Sequence, residues 1–185
     1  MSAVRELADE LGAPERTLRR AVAVGAVRSR RLSARRLRLA DGEFDYLRNH
    51  WRLLARLRGA LRTEQGVRLA VLFGSTARGD DDESSDVDLL VEFAEEEPLD
   101  RLRLGIRLGD KLGREVDVAS RRRAERNDPF FLLQALDEGR VIIDRDGEWP
   151  NLRARRPAIY KRAMRSYRRR REHAAEALHD LPATR

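Results

Sequence analysis

The chain's 185 residues predict an α+β fold in two working parts, and three observations carry that reading. Apolar residues at helical spacing (i, i+3, i+4, i+7) dominate the first 66 positions. From residue 67 onward, short apolar runs with β-branched members alternate with helical stretches, the pattern of a mixed sheet with flanking helices. Charge divides along similar lines: residues 1–70 carry +8, residues 71–120 carry −8 and residues 121–185 carry +7. Basic surfaces suit nucleic acid and clustered carboxylates suit a hard cation, so the segments have separate jobs. The predicted divisions are 1–42, a helical basic unit; 43–66, a connector helix; 67–148, the sheet domain; and 149–185, a basic helical tail.

Composition excludes several function classes. A chain of this length can bury a real core. No run of some 18 apolar residues is present, so no membrane span is expected. The N-terminus lacks a basic-then-apolar leader, which points to the cytoplasm. Without cysteine there are no disulfides, thiolate zinc sites or cysteine nucleophiles. All cations but Lys111 and Lys161 are arginine. A GC-rich genome would give that preference, but it does not explain the segregation of charge.

In the N-terminal unit, Val4, Leu7, Ala8 and Leu11 form a helical stripe, with Ser2 as its cap and Gly12 as its stop. Pro14 suits the first position of a second helix that ends near Gly25. The Arg28–Arg38 stretch alternates arginine with Leu32 and Leu37, as a two-stranded ribbon turning at Ser33-Ala34 would. Two short helices joined by a tight glycine-containing turn are the helix-turn-helix pattern. With Leu7-Ala8-Asp9-Glu10-Leu11-Gly12, the Arg16-Thr17-Leu18-Arg19-Arg20 start of the second helix and Gly25-Ala26-Val27 before the ribbon, the unit resembles the excisionase-like and MerR-like winged helix-turn-helix domains. In that arrangement Arg16, Arg19 and Arg20 face a DNA groove, and Arg28, Arg30, Arg31, Arg35, Arg36 and Arg38 grip phosphates. Glu43 to about Thr63 is one longer helix, with Phe44, Leu47, Trp51 and Leu54 on its packing face; His50 is expected to be structural or at the surface.

The most informative stretch follows. Val67–Phe73 is short and apolar enough for a buried strand. Gly74-Ser75 comes next, where glycine lets backbone approach a phosphate and the amides of a helix start attract anions. Arg78 adds a guanidinium fork for phosphate oxygens. After the acidic loop Asp80–Glu83, read as a solvated turn, a second strand opens with Asp86 and Asp88. Residues i and i+2 of a strand share a face, so the two carboxylates stand side by side and call for a cation between them. Glu92 falls on the same face farther along and reads as a surface acid. Pro98–Arg114 is a helix with Leu99, Leu102, Ile106 and Leu112 as its approximate apolar face. A third strand, Glu115–Ala119, brings Asp117 toward the first pair if the two strands are neighbours. Asp128–Gly139 is a capped helix whose Phe130 and Phe131 would seal the sheet, and Val141–Ile143 is a last strand. The tail from Asn151 is an arginine-rich helix, and its Arg168–Arg171 run suits either a phosphate backbone or solvent.

Gly74-Ser75, ten residues, then Asp86-Val87-Asp88, with Asp117 on a later strand, resembles the nucleotidyltransferase superfamily of DNA polymerase β. More narrowly, Gly74-Ser75-Thr76-Ala77-Arg78-Gly79 followed by Ser85-Asp86-Val87-Asp88-Leu89 is similar to the minimal nucleotidyltransferases, many of them antitoxins paired with a HEPN-family toxin. The resemblance implies nucleotide binding at Gly74 and Ser75 with Arg78 as a further candidate, and two Mg²⁺ ions held by the catalytic acids Asp86, Asp88 and Asp117. It also implies ATP or another nucleoside triphosphate as substrate, and a protein acceptor such as a HEPN-type toxin. Promoter DNA would be the partner of the N-terminal unit, and no membrane is involved. Two other readings stand beside it: a DNA-binding regulator whose nucleotidyltransferase fold is not catalytic, and an enzyme acting on RNA ends or a small-molecule hydroxyl.

Overall fold

The computed structural model describes residues 3–32 and 37–179. Helix α1 (Ala3–Glu10) and α2 (Glu15–Val24) lead into a two-stranded antiparallel ribbon, β1 (Ser29–Arg31) and β2 (Leu37–Leu39). Pro14 sits just outside α2, one residue earlier than expected. Gly25 ends that helix in the left-handed region at φ 95°, its N–H returning to Ala21 and Val22 carbonyls. The proposed Ser2 cap, the ribbon turn at Ser33-Ala34 and the arginines Arg35 and Arg36 lie outside the described residues.

Helix α3 (Glu43–Arg62) runs on to β3 (Val67–Phe73), α4 (Gly74–Arg78), β4 (Val87–Phe93), α5 (Asp100–Leu112) and β5 (Val116–Ser120). Then come α6 (Arg121–Asn127), α7 (Pro129–Glu138), β6 (Arg140–Asp144), α8 (Glu148–Ala154) and α9 (Arg156–His179). The four long-range strands form a mixed sheet in the order β5-β4-β3-β6. Strand β3 is antiparallel to β4 and β6, and β4 is parallel to β5, the return being made by α5. Both faces of the sheet are covered, so β3 is buried on both sides. Leu72, Leu89 and Val91 pack toward α3 and α5; Leu69, Val71, Phe73 and Leu90 pack toward Leu132, Leu136, Trp149 and Ile159. No helix among the described residues is long and apolar enough to cross a membrane.

The helix expected to connect the two parts is built into both. One continuous core holds Leu7 and Leu18 of the N-terminal helices, Leu47, Leu57 and Leu61 of α3, and Leu72, Leu89 and Leu104 of the sheet side. At the junction, Arg140 and Glu43, each 2% exposed, pair at 2.6 Å. Arg140 also donates to the Ala77 carbonyl at 2.7 Å and lies 3.3 Å over the Tyr46 ring, while Val141 N–H bonds to the Gly25 carbonyl at 3.2 Å. Each nitrogen of this buried guanidinium has an acceptor at the seam between the units, an arrangement that removing either partner of the ion pair would break.

Helix α5 buries only part of the predicted face. Leu112 is buried as expected, together with Leu104 and Leu108, whereas Leu99, Leu102 and Ile106 are 52%, 62% and 56% exposed. Gly105 explains the difference: a Cβ there would lie 2.7 Å from the Val116 carbonyl, so the bare helix face sits directly on β5.

Candidate active site at the end of the sheet

The chemistry gathers where β3 gives way to α4. Gly74 takes φ 72°, and a Cβ at that position would fall 2.1 Å from Asp88 Oδ2. Glycine is therefore required twice, for the turn and for the closeness of the carboxylate. Asp88 lies opposite Phe73 on one side and in register with Asp117 on the other, since β4 and β5 are parallel there. Asp86 stands one residue before β4, and Thr76 Oγ1 donates to its carbonyl at 3.2 Å, fastening α4 to the acidic strand. Asp88 is half-buried, while Asp86 and the edge-strand Asp117 are exposed.

This is an electrostatically unfinished cluster. Burial pushes the Asp88 carboxyl up from its ordinary value, and the charges of Asp117, Asp86 and Glu138 push it further; Arg78 opposes them only in part. Among the described residues no three histidine or acidic side chains are gathered tightly enough to hold a cation as they stand. The donor set still suits one: all-oxygen ligands, adjacent strands in register and like charges without compensation are what a hard divalent cation requires.

Glu138 is the site residue that the sequence did not disclose. It ends α7, 64 positions after the glycine turn, and its Oε1 accepts the Gly74 N–H at 3.0 Å. Its Oε2 accepts from Arg78 Nη1 at 2.9 Å, and Gln134 Nε2 donates to Oε1 at 3.1 Å. Arg78, 41% exposed, also pairs with Asp80 at 3.2 Å. The backbone donor and the guanidinium expected to meet phosphate are thus both engaged by one internal carboxylate. Only the closeness of α7 and α4 in space could have pointed to it. Ser75 is half-buried beside them, and its hydroxyl has no protein partner among the described residues.

The acidic loop is less solvated than expected. Asp81 is 5% exposed, bonded to His50 Nε2 at 2.7 Å and to Arg114 Nη1 at 3.0 Å. Arg114 Nε also reaches the Ser85 carbonyl at 3.1 Å, and His50 stacks on Tyr46 with ring centroids 4.4 Å apart. His50 therefore anchors the loop that delivers Asp86, because the residues on either side of the loop supply the partners its buried carboxylate needs. Glu92 is likewise no free surface acid; Arg121 and Arg122 hold it at 2.8 and 3.2 Å. Phe131 seals the sheet edge-on to Phe73 at 5.0 Å, but Phe130 turns outward and is 37% exposed.

Of the predicted DNA contacts, Arg16, Arg20, Arg30 and Arg38 are exposed, and Arg19 is exposed and ion-paired with Glu15. Arg31 lies on β1. Arg28 requires correction: its side chain donates to the Ala77 and Glu138 carbonyls and its N–H to Glu43 Oε1 at 2.8 Å. Half-buried at the seam, it ties the ribbon to the sheet domain and cannot grip a phosphate in that position.

Comparison with known proteins places this geometry. A Methanocaldococcus jannaschii protein that its name assigns to the protein adenylyltransferases is 50% identical over 56 residues, 30% of this chain and 60% of its own. The chain thus spans less than two thirds of that relative. Among solved structures, a toxin-antitoxin crystallised with AMP-PNP superposes with a TM-score of 0.52 at 19% identity, over 69% of this chain and 98% of that one. A structure of a tri-AMPylated Shewanella oneidensis HEPN toxin in complex with MNT antitoxin gives 0.50 at 18% identity, over 70% and 98%. At such identities the likeness is one of fold. Residues 56–148, which include the glycine turn, the three aspartates and Glu138, match the family described as Polymerase beta, Nucleotidyltransferase. The chain belongs to the polymerase β nucleotidyltransferase family.

Proposed function

We propose that the protein transfers a nucleoside monophosphate, AMP above all, from a nucleoside triphosphate to a hydroxyl on a protein partner, a HEPN-type toxin, and so acts as its antitoxin. The observation that carries this is the register Phe73–Asp88–Asp117 beside the Gly74 turn, which sets a backbone anion site against uncompensated carboxylates. The named relatives, a protein adenylyltransferase and antitoxins seen with HEPN toxin or AMP-PNP, support the choice of nucleotide and acceptor.

In this reading the Gly74 amide, the Ser75 hydroxyl and Arg78 receive the β- and γ-phosphates, and the incoming phosphate displaces Glu138 from the first and last of them. Two Mg²⁺ ions, held by Asp86, Asp88 and Asp117, would draw off charge from the triphosphate and the attacking oxygen. Asp117, exposed on the edge strand, orients the acceptor hydroxyl and takes up its proton. The hydroxyl oxygen forms its bond to the α-phosphorus in line as the α–β bridging bond breaks, and pyrophosphate leaves.

The N-terminal helices and ribbon form a second functional surface under the same proposal: a winged helix-turn-helix that binds promoter DNA through Arg16, Arg19, Arg20, Arg30, Arg31 and Arg38. Arg35 and Arg36 belong to the same wing by sequence. A non-catalytic regulator would have no use for a cluster of aspartates that costs stability.

The decisive experiment is incubation with α-labelled ATP and Mg²⁺, with and without the co-expressed product of the neighbouring gene. Label is expected on that partner and is expected to fall on the order of 10³-fold in the Asp86→Ala/Asp88→Ala double variant. Equal label in wild type and variant would remove the aspartates from the chemistry. Absence of label with every nucleotide and metal, beside tight promoter binding, would favour the regulator.

A further inference from the structure

A shallow groove of ≈ 620 Å³ runs between the end of α6 and the outer face of α9, and Arg126, Arg162, Arg165, Arg169 and Arg170 line it. It continues into a second hollow of ≈ 530 Å³ beside Phe130 and Tyr167, the two sharing Asn127 and Arg170. Neither hollow includes a residue of the nucleotide turn, the aspartates or the N-terminal helices.

Two properties distinguish this surface from an ordinary solvated face. The first is how its charge is left. Around it, arginines are neutralised: Arg121 by Glu92 and Glu125, Arg155 by Glu125, and Arg156 by Asp137. In the groove, Arg162 pairs with Glu125 at 3.5 Å, but Arg126, Arg165 and Arg170 meet no carboxylate among the described residues; Asp128, which lines the second hollow, turns Oδ1 to the Phe131 N–H. The second is a pair of outward-facing rings. Phe130 and Tyr167, 37% and 49% exposed, meet edge to face with centroids 6.2 Å apart. The contact holds the two rings near a right angle, with the edge of one against a face of the other.

Guanidinium forks from two helices, Arg126 on α6 and Arg165 and Arg170 on α9, suit phosphates, and exposed rings suit unpaired bases. A duplex would engage the arginines and leave the rings idle, because its bases are stacked inside; unpaired bases are the ordinary state of RNA loops and ends. We propose that this groove binds single-stranded RNA, with phosphates on Arg126, Arg165 and Arg170 and bases on Phe130 and Tyr167. The proposal is independent of the nucleotidyl-transfer reading.

The test is fluorescence anisotropy of the full chain with a fluorescein-labelled oligouridylate 12-mer, run beside oligothymidylate, an RNA duplex and heparin. Saturable binding of the uridylate is expected to weaken with salt, with a log–log slope near −0.7 for each phosphate engaged. The Arg126→Ala/Arg165→Ala/Arg170→Ala variant should flatten that slope by about 2. Tyr167→Ala should weaken binding roughly 5- to 150-fold, the loss of one stacked base, while Tyr167→Phe keeps it. Because Tyr167 is exposed, its variants test the ring without disturbing the core. Changing Arg16, Arg19 and Arg20 to Ala should leave the uridylate affinity as it was. Equal affinity in wild type and Tyr167→Ala overturns the assignment, as does duplex or heparin binding as tight as uridylate; either marks a surface that reads charge alone, such as one for an acidic protein. Oligothymidylate binding as tight as uridylate overturns the choice of RNA.

Discussion

Carboxylates on the same stretch of sheet and loop are treated in two opposite ways. For Glu92 and Asp81, burial alone would raise the carboxyl, yet the hydrogen bonds of Arg121 and Arg122 to the one, and of His50 and Arg114 to the other, hold both below the ordinary range. Glu43, 2% exposed, likewise has a partner, the Arg140 guanidinium at 2.6 Å. Asp88 sits on the same strand as Glu92, at comparable burial, and goes the other way, raised by burial and by Asp117, Asp86 and Glu138. Burial therefore does not separate the two groups; partnership does. A fold that supplies an arginine or histidine to Glu43, Asp81 and Glu92 has left three aspartates beside the glycine turn without one, which makes them the candidates for a ligand site.

The contrast can be broken at four points. Glu43→Ala removes a fully buried partner and strands Arg140, so it should cost ~3–5 kcal/mol in urea-induced unfolding. A loss below ~1 kcal/mol would mean that the seam tolerates water and that the two units are not one body. Asp81→Ala should cost less, ~1.5–3 kcal/mol, since it removes charged hydrogen bonds at a site with water nearby. The depressed carboxyls of Asp81 and Glu92 make their contribution above the unfolded pKa, and it is lost as pH falls through their folded values. Acid titration of wild type should therefore show more lost stability than titration of Asp81→Ala.

Glu138 belongs to both groups, being a partner of Arg78 and a source of like charge for Asp88. Glu138→Gln should free the guanidinium and relieve the cluster, tightening AMP-PNP roughly tenfold, ~1.4 kcal/mol, by calorimetry. Weaker binding would instead make Glu138 part of the nucleotide site. The smallest effect is expected at Asp88. Its raised carboxyl favours the protonated fold, so stability falls as pH rises from the unfolded toward the folded pKa, and the cost persists at neutral pH. Asp88→Asn should therefore raise Tm slightly at pH 7 and leave it unchanged well below pH 4. Added Mg²⁺ should close the gap at pH 7 by stabilising only the wild type.

Those parts of the site legible in the chain are the ones written locally. Gly74, Ser75, Asp86 and Asp88 lie within fifteen positions, where turn chemistry and the two-residue period of a strand decide direction. Asp117 joins them because its strand pairs directly with theirs, in register with Asp88. On α5, Leu99, Leu102 and Ile106 fit helical spacing as well as Leu104 and Leu108 do, and Gly105, which chose between them, carries no hydrophobic signal. Arg28 looked like its neighbours in an arginine-rich ribbon; only the nearness of the Ala77 and Glu138 carbonyls made it a clasp.

By itself, then, the sequence determined the order of the strands and longer helices, the glycine turn, the paired aspartates and the basic flanks, since each follows from backbone preference or spacing over a few residues. Tertiary structure alone decided which charges would be matched. Glu138 reaches Gly74, Asp81 reaches His50 and Arg114, and Arg140 reaches Glu43 across 64, 31, 33 and 97 positions. Electrostatic fate depends on distance in space and on exclusion of water, and neither exists until the sheet has closed between its helices.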